Sequence, residues 1–271
     1  DLCQLKLVAE QHIEQSLSDS VAVLLLTQVN FRTGQLLDMQ KLTKLAHEKG
    51  ILVIWDLAHS AGALPVELDN CNADFAVGCG YKYLNGGPGS PAFLYVAKRH
   101  QASVKQPLSG WMGHAKPFAF NAEYQGADNI NQYLCGTPSV IAMSALDAAL
   151  DVWQNVDISQ IREKSIALAE VFIKLLQTYS CLSDLRLCST ENACQRGSQL
   201  AFSHTDAFAI CQALIEKGVI ADFRAPNILR FGFTPLYTSF EDIWNAVMIL
   251  AEVVKTQLYT QPRFNLAGKV T

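Results

Sequence analysis

"ILVIWDLAHS", Ile51–Ser60, decides the fold. Five apolar residues run without a polar break and are followed at once by Asp56 and His59. A run this short, rich in β-branched and aromatic side chains, reads as a strand covered on both faces. Upstream, "VAVLLLTQV" (Val21–Val29) reads the same way, and "NFRTGQ" (Asn30–Gln35) as the turn at its carboxyl end. Between the two strands, "LDMQKLTKLAHEKG" (Leu37–Gly50) has the spacing of an amphipathic helix, closed by Gly50. Downstream, "ADFAVGCG" (Ala73–Gly80) is a third strand and "SPAFLYV" (Ser90–Val96) a fourth, while "LVAEQHIEQSL" (Leu7–Leu17) reads as a leading helix. Apolar strands separated by helices predict an α/β domain with a mainly parallel sheet.

In such sheets ligands gather at the carboxyl ends of the strands. Asp56 and His59 follow the second strand; Tyr81 and Lys82 follow the third, in "VGCGYKYLNGGPGS" (Val77–Ser90). Beyond the fourth strand lies an irregular region containing "LSGWMGH" (Leu108–His114) and "YLCGTPSV" (Tyr133–Val140), then helix-like sequence to about residue 179. The remainder, "LRLCS", "SQLAFSH", "DAFAICQALIEKG", "VIADFR", "ILRFGFTPLY" and a last helix from Phe240, reads as a smaller α+β domain. The division falls at 1–150 and 151–271, without a linker-like run to mark it.

Composition narrows the function classes. Half of the 271 residues are hydrophobic and 17% are charged, as in a globular protein. A net charge of −4 points away from nucleic acid and anionic membrane surfaces. The chain opens at Asp1, with neither an initiator methionine nor a basic-then-apolar leader, which fits a processed or truncated protein. Eight cysteines, Cys3, Cys71, Cys79, Cys135, Cys181, Cys188, Cys194 and Cys211, are scattered without metal-like pairs. They predict reduced thiols, a cytoplasmic location and no structural zinc.

Each polar residue at the strand ends has a structural and a chemical reading. Lys82 either snorkels to water or, against apolar neighbours, serves as an amine nucleophile toward an aldehyde cofactor. Asp56 is a turn or cap residue, or a carboxylate that keeps a pyridine nitrogen protonated. His59 orients that aspartate, contacts a ring or is simply structural. Trp111 is core or an aromatic wall, and His114 surface or a polar group at a ligand. Thr137 caps a helix starting at Pro138 or gives its hydroxyl to a phosphate. Arg230 is a surface residue or a planar fork for an α-carboxylate, with Arg224 and Arg32 as rivals.

Taken together, "VIWDLAHSAGALPVEL", "ADFAVGCGYKYLNGGPGSPAFLYV", "QPLSGWMGH", "YLCGTPSV" and "FRAPNILRFGFTPLY" resemble the kynureninases, in order and through most of the chain. The resemblance implies a pyridoxal-5'-phosphate enzyme of the aspartate-aminotransferase fold type, a homodimer with a shared active site. It implies hydrolysis of the Cβ–Cγ bond of L-kynurenine, and of 3-hydroxykynurenine, to L-alanine and the corresponding anthranilate, within tryptophan catabolism and NAD biosynthesis. It puts Lys82 at the cofactor-bearing position, Asp56 at the pyridine nitrogen and His59 beside the cofactor. Tyr81 becomes the phosphate-contacting, proton-transferring tyrosine, and Trp111 and Thr137 become phosphate contacts from the neighbouring subunit. Arg230 becomes the substrate-carboxylate arginine, with His114 on the substrate side. Family members carry a substantial segment ahead of the point matched by Asp1, so the large domain is expected to be incomplete. The 271 residues alone are then expected to bind cofactor poorly. Rival readings are a cysteine desulfurase, a class V aminotransferase, or a remnant without cofactor; desulfurases typically have histidine where Tyr81 stands.

Overall fold

The computed structural model describes residues 4–103 and 105–266, so Cys3 lies outside the described residues. Two compact units are present, the first taking in residues up to Gln28, 38–58 and 66–152, the second 29–37, 59–65 and 153 onward.

The first unit opens with a one-turn helix, α1 (Ile13–Ser16), instead of the longer helix expected over Leu7–Leu17. Of that stretch Ile13 alone is buried, and Leu5 and Leu7 are exposed. A helix so short persists only where packing supports it. Strand β1 (Val23–Thr27), helix α2 (Met39–His47) and strands β2 (Leu52–Asp56), β3 (Phe75–Cys79) and β4 (Ala92–Val96) follow. The sheet order is β1-β2-β3-β4, the first three parallel and β4 antiparallel to β3. Helix α2 begins at Asp38, whose side chain accepts from the Lys41 amide, and the chain turns back at Gly50 with φ of 71°. It covers one sheet face: Met39, Leu42, Thr43 and Ala46 are buried, and the Trp55 indole donates to Thr43 Oγ1 at 3.0 Å.

The strands are not covered on both faces, as their apolar runs had predicted. Val23, Leu25, Leu52, Val77 and Leu94, which the register places on the opposite face from Trp55, are exposed, Leu25 at 64%. Among the described residues no layer packs over them, and periodicity alone carries no information about which layers are present.

At the amino-terminal rim of the same sheet a single carboxylate ties three segments together. Asp74 is 2% exposed at its side chain. Its Oδ2 meets His47 Nε2 at 2.8 Å and accepts from the Val53 amide at 2.8 Å. Its Oδ1 accepts from Arg99 Nη2 at 2.6 Å and meets His100 Nε2 at 2.7 Å. Arg99 and His100 belong to the short helix α3 (Lys98–Gln101), and His100 stacks on Phe75. Burial pushes the Asp74 carboxyl up, but the hydrogen bonds from His100, His47, the Val53 amide and Arg99 outweigh it and bring it down to about 2. Beyond the loop region, α4 (Val140–Leu150) closes the unit with no buried residue along its length.

The second unit carries α5 (Ile158–Gln177), β5 (Arg186–Leu187), β6 (Gln199–Ser203), α6 (Ala207–Glu216), β7 (Asp222–Arg224), β8 (Ile228–Gly232) and α7 (Phe240–Lys255). Its sheet, in the order β5-β6-β8-β7, is antiparallel throughout. Leu168, Phe172 and Leu176 recur at helical spacing on α5 and join Phe202, Phe231 and Val247 in one closed core. The Phe172 and Phe231 rings lie 4.7 Å apart. Helix α7 starts on a capping box in which Ser239 and Asp242 satisfy each other's amides. Residues 29–37 dock on this unit: Gln199 Nε2 donates to the Asn30 and Phe31 carbonyls, each at 3.0 Å.

Candidate active site

Asp56 ends β2, and Cys79, three residues before Lys82, ends the neighbouring parallel strand β3. Parallel pairing brings both carboxyl ends to the same rim, so the carboxylate and the amine leave adjacent strands there. Asp56 Oδ1 accepts from the Ala58 amide at 2.8 Å, a local turn that fixes the side chain. Its other oxygen makes no hydrogen bond among the described residues.

The loop that bears Lys82 is tightly folded. The Gly86 amide donates to the Gly80 carbonyl at 2.9 Å, and the Asn85 amide to the Lys82 carbonyl at 2.9 Å, closing the chain around Tyr81–Asn85. A Cβ at either Gly80 or Gly86 would stand 2.3 Å from Ser90 Oγ, and at Gly86 also 2.9 Å from the Gly80 carbonyl oxygen, so a side chain at either position would have to displace its neighbours. Asn85 and Gly87 adopt left-handed backbone, with φ of 63° and 69°. The glycines therefore shape the loop. Lys82 is half-buried, its Nζ 5.5 Å from the centroid of the exposed Tyr81 ring. His59 follows in the turn after β2 and is half-buried, in the stretch grouped with the second unit.

The loops of the first unit hold the other candidates. Trp111 lies in a short 3-10 turn (Trp111–Gly113), half-exposed and edge-on to Phe118 at 5.7 Å, and is not a core residue. Gly110 packs so closely on Cys135 that a Cβ would stand 1.7 Å from its carbonyl oxygen, so the Trp111 loop and the Cys135–Thr137 loop are seated on each other. Thr137 is exposed and caps nothing: α4 starts at Val140 with Ser139 at its N-cap. His114 has both ring nitrogens engaged inside its own loop. Its Nδ1 accepts from the Lys116 amide at 2.8 Å, and Nε2 meets the Glu123 carbonyl at 3.3 Å. That pairing puts the proton on Nε2.

In the second unit Arg230 is buried on β8, with 7% of its surface exposed. Its Nε donates to Asp222 Oδ1 at 2.9 Å and its Nη2 to Asp222 Oδ2 at 2.5 Å, while Nη1 donates to the Phe31 carbonyl. Arg224, a rival for the same role, is partly exposed and reaches Asp222 only at 3.5 Å. Asp222 is the functional candidate that reading the sequence missed. The available signal was an acid eight residues before the arginine, across "APN", which marks a hairpin turn.

Comparison with known proteins places these observations. Residues 161–250 match the family model described as the kynureninase C-terminal domain. Kynureninase from Pseudomonas fluorescens is 46% identical over 261 residues, 96% of this chain and 63% of that protein. Kynureninase from Burkholderia mallei is 47% identical over 259 residues, 96% of this chain and 62% of that protein. Among solved structures, an apo cysteine desulfurase from Thermococcus onnurineus NA1 superposes with a TM-score of 0.75 at 19% identity. It covers 91% of this chain and 63% of its own. A variant of C-DES with glycine covalently linked to its PLP cofactor gives 0.75 at 20% identity, over 89% and 63%. The fold is thus the α/β fold of these two proteins. In sequence, the chain is similar to kynureninases along 96% of its length and spans somewhat less than two-thirds of theirs.

Proposed function

We propose that this chain is the greater part of a kynureninase, hydrolysing the Cβ–Cγ bond of L-kynurenine and of 3-hydroxykynurenine with pyridoxal 5'-phosphate. The observation that carries the reading is the pair of an amine, Lys82, and a carboxylate, Asp56, fixed by the Ala58 amide through one of its oxygens, at the same rim of adjacent parallel strands. That donor set fits the cofactor: an amine to link to an aldehyde, and an anion to face a pyridine nitrogen. Bound there, the cofactor would supply an electron-withdrawing ring that stabilises negative charge developing at the substrate's α-carbon.

The chain's own residues have separable tasks in this reading. Lys82 would hold the cofactor through its amine and would carry the α-proton. Asp56 would face the ring nitrogen with its Oδ2 and favour the protonated form. Tyr81, whose ring adjoins the Lys82 amine, relays protons at the β-carbon while water adds to the γ-ketone. Arg230 would receive the substrate carboxylate, His59 would lie beside the cofactor, and His114, whose ring nitrogens are held by its own loop, would line the substrate side without donating Nε2–H to it.

The reading includes a cytoplasmic homodimer in which Trp111 and Thr137 reach the phosphate held by the partner, within tryptophan breakdown and NAD biosynthesis. It is supported by the exposure of both residues and by the apolar helix α4 that follows Thr137, where Ile141 is 86% exposed. Among the described residues no helix is long and apolar enough to cross a membrane. The fold is shared with cysteine desulfurases, so the discriminating experiment compares substrates. Protein of full family length should release anthranilate from L-kynurenine at least tenfold faster than it releases alanine from L-cysteine, a gap of about 1.4 kcal/mol in barrier. The opposite preference would sink the proposal in favour of a desulfurase.

A further inference from the structure

Arg230 cannot hold itself in place. Its side chain has four rotatable bonds, and a guanidinium that swings by one rotamer no longer presents a fork to a planar anion. In the structure it is held from two sides, by Asp222 and by the Phe31 carbonyl. Antiparallel pairing sets Asp222 of β7 directly opposite Arg230 of β8, so the two side chains share a sheet face. The carboxylate takes one N–H from Nε and one from Nη2, and the Phe31 carbonyl takes a third from Nη1. A guanidinium has five N–H groups. Among the described residues one therefore remains on each of the terminal nitrogens, the number that a second carboxylate takes from a planar fork.

The charges leave room for that second anion. Asp222 alone would neutralise Arg230, but Arg224 stands 3.5 Å from the same Asp222 oxygen and keeps the cluster net positive. We infer that Asp222 is a positioning residue: it locks the Arg230 guanidinium side-on, so that the remaining N–H pair is pre-aimed at the α-carboxylate of an amino-acid substrate. The inference rests on the proposed role of Arg230 and goes further by assigning the group that orients it.

The test reads carboxylate recognition and not turnover. Protein of full family length, loaded with pyridoxal phosphate, is titrated with L-alanine and with L-alaninamide, following the cofactor's visible absorbance. Wild type should prefer the acid; Arg230→Lys should remove most of that preference, and Asp222→Asn should lower it about tenfold or more. Because Asp222 acts through Arg230, adding Asp222→Asn to Arg230→Lys should change the preference no further. Asp222→Glu keeps the charge, which guards against an Asn variant that does not fold, and displaces the carboxylate by one methylene. Its preference should fall between wild type and Asp222→Asn. An Asp222→Asn protein with the wild-type preference, additive effects in the double variant, or a Glu variant equal to wild type would each overturn the positioning role while leaving Arg230 in place. An Arg230→Lys protein that still prefers the acid would overturn the carboxylate reading of Arg230 itself.

Discussion

Lys82→Ala should abolish covalent attachment of pyridoxal phosphate and reduce kynurenine cleavage by a factor on the order of a thousand or more. The size follows from the two tasks proposed for this one amine, holding the cofactor and carrying the α-proton. The Gly86 amide bonded to the Gly80 carbonyl closes the loop around Lys82, which favours this one amine over its neighbours. Borohydride reduction of cofactor-treated protein, followed by peptide mapping, should label the peptide containing Lys82 and no other. Lys49→Ala, at an exposed position after α2, should change nothing. A label that persists in Lys82→Ala protein, or that maps to another lysine, would refute the assignment.

The second large effect lies at the opposite rim. Asp74→Asn should destabilise the first unit by roughly 3 kcal/mol, since it leaves the buried Val53 amide and the partly buried His47, His100 and Arg99 donors facing an amide that can accept on one side only. Four donors now fill the four acceptor sites of the carboxylate, so an Asn NH₂ must point at another N–H. The same carboxylate predicts an acid limb. Its ionisation is held down to about 2, below the unfolded value near 4, so its stabilisation is complete above pH 4 and disappears as pH falls through 2. A shift of that size is worth about 2 kcal/mol. Hydrogen exchange at the Val53 amide, which donates to Asp74, should quicken over that window in wild type and be fast throughout in Asp74→Asn. Equal protection of Val53 in both proteins would contradict the account.

Much of the fold was legible because its strands are short, apolar and separated by a well-capped helix: "ILVIWD" and "ADFAVGCG" appear as β2 and β3 within a residue or two. Lys82 and Asp56 were legible for the same reason, since strand ends in a parallel sheet fall on one rim. What the sequence concealed depends on pairing across distance. The antiparallel setting of β4, the Asp222–Arg230 register and the convergence of His47, Val53, Arg99 and His100 on Asp74 each join segments with no shared local pattern. His114 was offered as a free polar group, yet two backbone groups of its own loop occupy its ring nitrogens. Thr137 was weighed as a helix cap, and the helix begins three residues later.

The open sheet face of the first unit has a thermodynamic consequence. Side chains such as Val23, Leu25 and Leu94 are already hydrated in the native state, so unfolding that unit exposes little additional apolar surface through them. Heat-capacity change and denaturant sensitivity both scale with newly exposed surface. The second unit, with its aromatic core closed around Phe172, should therefore dominate a calorimetric trace. A single melting midpoint measured on this chain would then describe residues 153 onward far better than the strands that carry Asp56 and Lys82.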